Sequence, residues 1–147
     1  MNKDEFARAT DILNDYIQSR PLKYSEKRLV ILRALLDSNR HLTAEELHSI
    51  VKDKDASIGI ASIYRTLRLF TECGISGELT LDGSTTRYYP ALGKAHHDHL
   101  ICIKCGKVVN IVSPGIEKTQ EKLARENGFT LESHRLDLFG ICSDCQK

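Results

Sequence analysis

Apolar residues recur along the first half of the chain with the period of a helix. Phe6, Ala9, Ile12, Leu13, Tyr16 and Ile17 share one face and predict an amphipathic helix ending before Pro21. Ser25 is placed to cap a second helix carrying Leu29, Leu32, Leu35 and Leu36. Thr43-Ala44-Glu45-Glu46 matches a capping box, in which Thr43 and Glu46 each satisfy an amide the other's turn leaves open. It opens a short third helix with Leu47, Ile50 and Val51 facing inward. Ile60, Ile63, Leu67 and Phe70 form one more stripe, with Gly74 placed just past the helix end. The period then shortens. Residues 78–81, Asp82-Gly83 and residues 85–89 read as strand, tight turn and strand, and Asp-Gly suits a type I′ hairpin. Helices followed by a hairpin is the order of a winged helix-turn-helix.

Beyond a short connector, residues 100–103, 108–112 and 136–141 predict strands. A helix over 114–127 lies between the last two, with Pro114 in its first turn and Gly128 at its end. The expected fold class is therefore α+β: a winged-helix domain over 1–91, a hinge over 92–95, and a small α/β domain over 96–147.

Composition narrows the class. Of 147 residues, 41% are hydrophobic and 28% charged, enough for a core and inconsistent with a disordered chain. There is no apolar run long enough to span a membrane, and the polar start M-N-K-D-E-F lacks a signal-peptide core, so a cytoplasmic protein is expected. Net charge is only +1, and residues 1–91 hold 13 Lys/Arg against 13 Asp/Glu, so no bulk basicity announces nucleic acid. Locally the picture differs: residues 56–71 contain Arg65 and Arg68 and no acid. Ser62, Tyr64, Arg65, Thr66 and Arg68 lie off the apolar stripe. Arginines can pair with phosphate or guanine, hydroxyls reach phosphates, and a tyrosine ring can meet a thymine methyl. The alternative for this helix is a plain core element.

The densest chemistry lies in residues 96–105, H-H-D-H-L-I-C-I-K-C, with a second Cys-x-x-C at Cys142 and Cys145. Cytoplasmic paired cysteines favour metal over disulfide, so Cys102, Cys105, Cys142 and Cys145 predict a structural tetrathiolate zinc site rather than a redox dithiol. Cys73 is left as an ordinary helix residue. On a strand, alternate side chains point to opposite faces. His96 and Asp98 then share one face, with Glu117 and His134 as distant partners, or all four are simply surface polar groups. His97 and His99 share the other face, and a metal joining them to His41 would tie the two halves together. Taken alone, His41 also fits a satisfied loop histidine. Rival readings from other classes are a zinc hydrolase built on these histidines with Asp98 or Glu117, and a passive metal store.

H-H-D-H-L-I-C-x-x-C-G-K, the terminal C-x-x-C and the helix G-I-A-S-I-Y-R-T-L-R-L-F together resemble the ferric uptake regulator family, in order from about residue 22 to 145. The resemblance implies a homodimeric, metal-activated repressor with a C-terminal dimerisation domain, binding an A/T-rich inverted-repeat DNA operator. It assigns zinc to the four cysteines, a second site to His96, Asp98, Glu117 and His134, and a hinge sensor site to His41, His97 and His99. It also places Tyr64 and Arg65 on the recognition helix and Lys23 at a minor-groove contact. Fe²⁺ or Mn²⁺ is the implied regulatory ion, with Zn²⁺ able to substitute in vitro. Two departures stand out, both at the hinge site: Tyr89 and Asn110 occupy stretches where the family places carboxylates. Peroxide-sensing members use aspartates there, and the helix reads Y-R-T-L as in iron sensors, so iron-type regulation is expected ahead of peroxide sensing.

Overall fold

A computed structural model describes residues 3–81, 85–92 and 98–147. The chain divides into two compact units, Met1–Lys94 and Ala95–Lys147. Much of the expected connector at 92–95 lies outside the described residues, as do Asp82-Gly83, His96 and His97.

The first unit runs α1 (Lys3–Gln18), α2 (Glu26–Ser38), β1 (Leu42–Thr43), α3 (Ala44–Lys52), α4 (Ile60–Glu72), β2 (Ser76–Leu81) and β3 (Thr85–Pro90). Its core is the sum of the helical stripes: Leu13, Ile31, Leu32, Leu35, Leu47, Ile63, Leu67 and Phe70 are almost fully excluded from water. Burial of such side chains stabilises by about 1.5–3 kcal/mol each, before chain entropy is counted. β3 is the centre of a three-stranded antiparallel sheet in the order β1-β3-β2. Helix-turn-helix plus β-hairpin gives the winged-helix architecture.

Local signals act as the chemistry requires. Thr43 Oγ1 accepts from the Glu46 N–H at 3.1 Å, and Glu46 Oε2 accepts from the Thr43 N–H at 2.9 Å, which completes the capping box of α3. Gly74 sits just after α4 with φ 82°, a left-handed conformation that only glycine adopts without strain.

Several expectations need correction. Ser25 stands at the N-cap of α2, but its side chain makes no capping hydrogen bond. Ile60, at the first turn of α4, is 38% exposed, whereas Thr66 is only 5% exposed. The stripe that α4 buries is Ile63, Thr66, Leu67, Leu69 and Phe70: Thr66 lies three residues after Ile63, on the same face. Thr66 therefore belongs to the packed side of α4, not to its open face. The pairing Leu81↔Thr85 leaves three residues between β2 and β3, one more than a two-residue type I′ connection has.

The second unit contains β4 (Asp98–Cys102), β5 (Val108–Ile111), α5 (Pro114–Glu126) and β6 (Asp137–Gly140). β4 is central, antiparallel to β5 and parallel to β6. Ser113 caps α5 through its hydroxyl, which accepts from the Ile116 N–H, and Pro114 fills the first turn. No residue of α5 is buried, and Val112, Leu123, Phe129 and Phe139 are all at least half exposed. A surface this apolar is the kind that a second protein covers.

Thr43→Ala removes one half of the capping box, and we expect it to lower stability by about 1 kcal/mol without altering the urea m-value. Equilibrium urea unfolding checks this.

Candidate metal centres and DNA-facing helix

Among the described residues, one group of ligands converges on a single point. The sulfurs of Cys102, Cys105, Cys142 and Cys145 all lie within 4.8 Å of one another. The sequence explains why. Cys102 ends β4, and the Gly106 N–H donates back to the Cys102 carbonyl at 2.9 Å, with Gly106 at φ 78°. The second pair closes likewise: the Cys145 N–H donates to the Cys142 carbonyl at 3.0 Å. Because β4 and β6 run parallel, with Cys102 opposite Gly140, the two turns emerge side by side.

The sulfurs suit a tetrahedral ion. With Zn–S bonds near 2.3 Å, ligand sulfurs stand about 3.8 Å apart, and Cys105 Sγ is 3.7 Å from Cys142 Sγ. The Cys142 N–H donates to Cys102 Sγ at 3.3 Å. That amide, helped by the one at Cys105, holds the Cys102 thiol down at about 6. Cys145 moves the other way, to about 12, because its thiol is hydrogen-bonded to the sulfurs of Cys142 and Cys105, is partly desolvated, and lies near the Cys102 sulfur. A divalent cation reverses that penalty, since thiolate is the ligating form. The site fits structural zinc. Cys73, outside the cluster, is half-buried at the end of α4, and burial raises its thiol.

The second set is partly assembled. His134 Nε2 lies 3.3 Å from Asp98 Oδ1, and Asp98 is almost completely buried. Glu117 occupies the first turn of α5, and His96 lies outside the described residues.

The residues expected at the hinge site fall in both units. In the first, His41 precedes β1, its carbonyl accepts from Arg87 Nη1 at 3.4 Å, and its ring packs on Tyr89 with centroids 4.7 Å apart. Tyr89 is paired across the sheet with Gly77, and a Cβ on Gly77 would collide with the Tyr89 ring and hydroxyl. Glycine at position 77 is thus what lets a tyrosine lie flat there. In the second unit, His99 is opposite Asn110 on β5 and opposite Asp137 on β6. His99 Nδ1 lies 3.2 Å from Asp137 Oδ1. Sequence reading missed Asp137, which acquires its partner only through the parallel pairing of β4 with β6. His97 lies outside the described residues.

On α4, Tyr64, Arg65 and Arg68 are exposed and Ser62 is partly so; Lys23 is exposed just before α2. A surface groove joins Ser62, Arg65, Arg68 and the carboxylate of Glu72 to Lys27 and Arg28 of α2, two cations that the α4 pattern could not reveal. The Tyr64 hydroxyl donates to Glu45 Oε1 at 2.6 Å, which holds the Glu45 carboxyl below its usual range and raises the tyrosine. Arg65 Nη2 donates to Ser62 Oγ, and Arg68 pairs with Glu72 at 3.3 Å.

A wing, an exposed cationic helix and a sheet pinned by four cysteines define a metal-containing winged-helix regulator of transcription. A model of the Ferric uptake regulator family matches residues 19–139, and the chain belongs to that family, whose members are DNA-binding regulators that form dimers. It is 43% identical over 126 residues to the ferric uptake regulation protein of Campylobacter upsaliensis, covering 84% of this chain and 80% of that one. The Helicobacter pylori ferric uptake regulator, whose structure reveals three functional metal binding sites, superposes with a TM-score of 0.87 at 32% identity, covering 97% of this chain and 94% of that one. A zinc-bound manganese uptake regulator superposes at 0.63 with 41% identity, covering 88% and 98%. No helix among the described residues is long and apolar enough to cross a membrane.

Cys142→Ser should abolish tight zinc retention. In hydrogen exchange on the full chain, amides of β4 and β6 should then lose protection while those of α2 and α4 keep theirs. Elemental analysis and exchange mass spectrometry together check both halves of this expectation.

Proposed function

We propose that this protein is a dimeric, metal-activated repressor of iron-responsive type, acting in the cytoplasm on an A/T-rich inverted-repeat operator. The observation that carries the reading is the groove in which Arg65 and Arg68 of α4 join Lys27 and Arg28 of α2. Such a cation cluster on an exposed helix fits phosphate contact flanking base readout in a major groove. Tyr64 and Ser62 extend that face, and Lys23 stands where a minor-groove contact is expected. The exposed apolar side chains of the second unit are read as its dimer surface.

His41, His97 and His99 are read as ligands of the sensor ion, with Tyr89 and Asn110 as neighbours of altered character. His96, Asp98, Glu117 and His134 are read as a second site, and the approach of His134 to Asp98 supports it. A bound divalent ion supplies a charge that ligands from both units can share, which couples metal affinity to DNA affinity. Tyr89 and Asn110 replace anionic oxygen with neutral groups, and that lowers affinity for hard Fe²⁺ or Mn²⁺ relative to an imidazole-preferring ion. The 43% identity to a ferric uptake regulation protein favours iron. Manganese is the second reading, favoured by the 41% identity to a manganese uptake regulator.

Fluorescence anisotropy on such an operator, with cysteine zinc retained, tests the switch. Anaerobic Fe²⁺ or Mn²⁺ is expected to tighten binding at least about tenfold, equivalent to about 1.4 kcal/mol of coupling. His41→Ala should flatten that response, and equal operator affinity for variant and wild type at every metal concentration would overturn the sensor assignment. Tyr89→Glu restores an anionic oxygen beside His41 in a space Gly77 already provides. It should raise Mn²⁺ affinity by about tenfold or more in calorimetry.

A further inference from the structure

His99 and Asp137 meet because β4 and β6 are parallel and these two residues are directly opposite. Side chains of directly opposed residues stand on the same face of a sheet. His99 Nδ1 lies 3.2 Å from Asp137 Oδ1, and the other carboxylate oxygen accepts from Arg135 Nε at 2.7 Å. Both side chains are largely shut off from water, at 6% exposed for His99 and 12% for Asp137. On the opposite flank of His99, Asn110 carries no charge.

We propose that Asp137 is the positioning carboxylate of His99: it fixes the imidazole so that Nδ1 carries the proton and Nε2 presents its lone pair to the sensor metal. The proposal rests on the reading of His41, His97 and His99 as sensor ligands. An ionised carboxylate beside Nδ1 can only accept a hydrogen bond there, so the neutral ring has Nδ1–H and a basic Nε2. Asp137 is assigned to act through His99: one of its oxygens lies at His99 Nδ1 and the other accepts from Arg135. Arg135 in turn holds the carboxylate in place through its other oxygen. A largely shielded carboxylate thus stands directly behind the His99 ring.

The experiment uses full-length protein with zinc retained at the cysteines and Co²⁺ as probe, followed by calorimetry and visible absorption. The relevant sites are those whose Co²⁺ affinity His41→Ala weakens. For these, Asp137→Ala is expected to cost 10- to 100-fold in affinity and to shift the Co²⁺ bands, the usual effect of losing a carboxylate behind a ligating histidine. Asp137→Asn keeps an oxygen that can accept from Nδ1–H but not the charge, so its loss should be smaller and in the same direction. In a His99→Ala background, Asp137→Ala should add nothing, which a merely structural link between β4 and β6 does not predict. Should Asp137→Ala shed the cysteine zinc, Asp137→Asn decides, and wild-type affinity with an unchanged spectrum in that variant overturns the proposal. Loss of Co²⁺ affinity in His41→Ala with none in a zinc-loaded Asp137→Ala overturns the proposal alone. If His41→Ala and wild type bind Co²⁺ identically, the sensor reading itself fails and the proposal falls with it.

Discussion

Four sulfur atoms held within 4.8 Å of one another cannot all bear charge unless a cation sits among them, and the second unit is built on that constraint. Its apolar core is thin. Among its described residues, Ile101 and Cys102 are the buried hydrophobic side chains, and α5 buries none. A segment of this size seldom stands on its own core; structural metals or partner chains make up the difference. Binding of structural zinc in small peptides is worth about 10–16 kcal/mol at neutral pH, and that energy is folding energy. The exposed apolar side chains of this unit say that a second surface contributes the rest.

The cysteine anchor also sets what happens at the far end of β4. This strand spans five residues, Asp98 to Cys102. Its last residue belongs to the sulfur cluster, and its first two meet His134 and Asp137. A one-residue slip in a strand turns every side chain to the other face. Pinning Cys102 opposite Gly140 therefore also fixes His99 opposite Asp137 and Asp98 at its own place beside Ile111. The structural site and the residues proposed for sensing share one register, so the first can orient the second without touching it.

This explains which features were legible in the sequence. The capping box at Thr43, the left-handed Gly74 and the two Cys-x-x-C turns are local: each depends on residues within a few positions, and each is found where the pattern places it. Thr66 was misplaced because a hydroxyl counts as polar in the pattern, while helix geometry puts it three residues from Ile63 on the buried face. Ile60 erred in the opposite sense, lying in the first turn of α4 before that helix enters the core. Asp137, Lys27 and Arg28 went unseen for a different reason. Their partners come from strand pairing or from a neighbouring helix, and nothing within a few residues of them announces it.

The electrostatics of the first unit bear on why metal control is needed. With 13 Lys/Arg against 13 Asp/Glu over residues 1–91, long-range attraction to DNA is close to cancelled. Acids also sit on the exposed face of α4 and beside it: Glu72 holds Arg68, and Glu45 holds the Tyr64 hydroxyl. A single winged helix of this composition has little non-specific affinity to draw on, because that affinity comes from phosphate neutralisation. Tight binding by a dimer then depends on both copies engaging DNA at once, and such gains vanish when geometry forbids simultaneous contact. A weakly charged reader is thus the kind whose DNA affinity responds steeply to spacing. On the reading proposed for His41, His97 and His99, the sensor metal acts on that spacing, and through it on the binding.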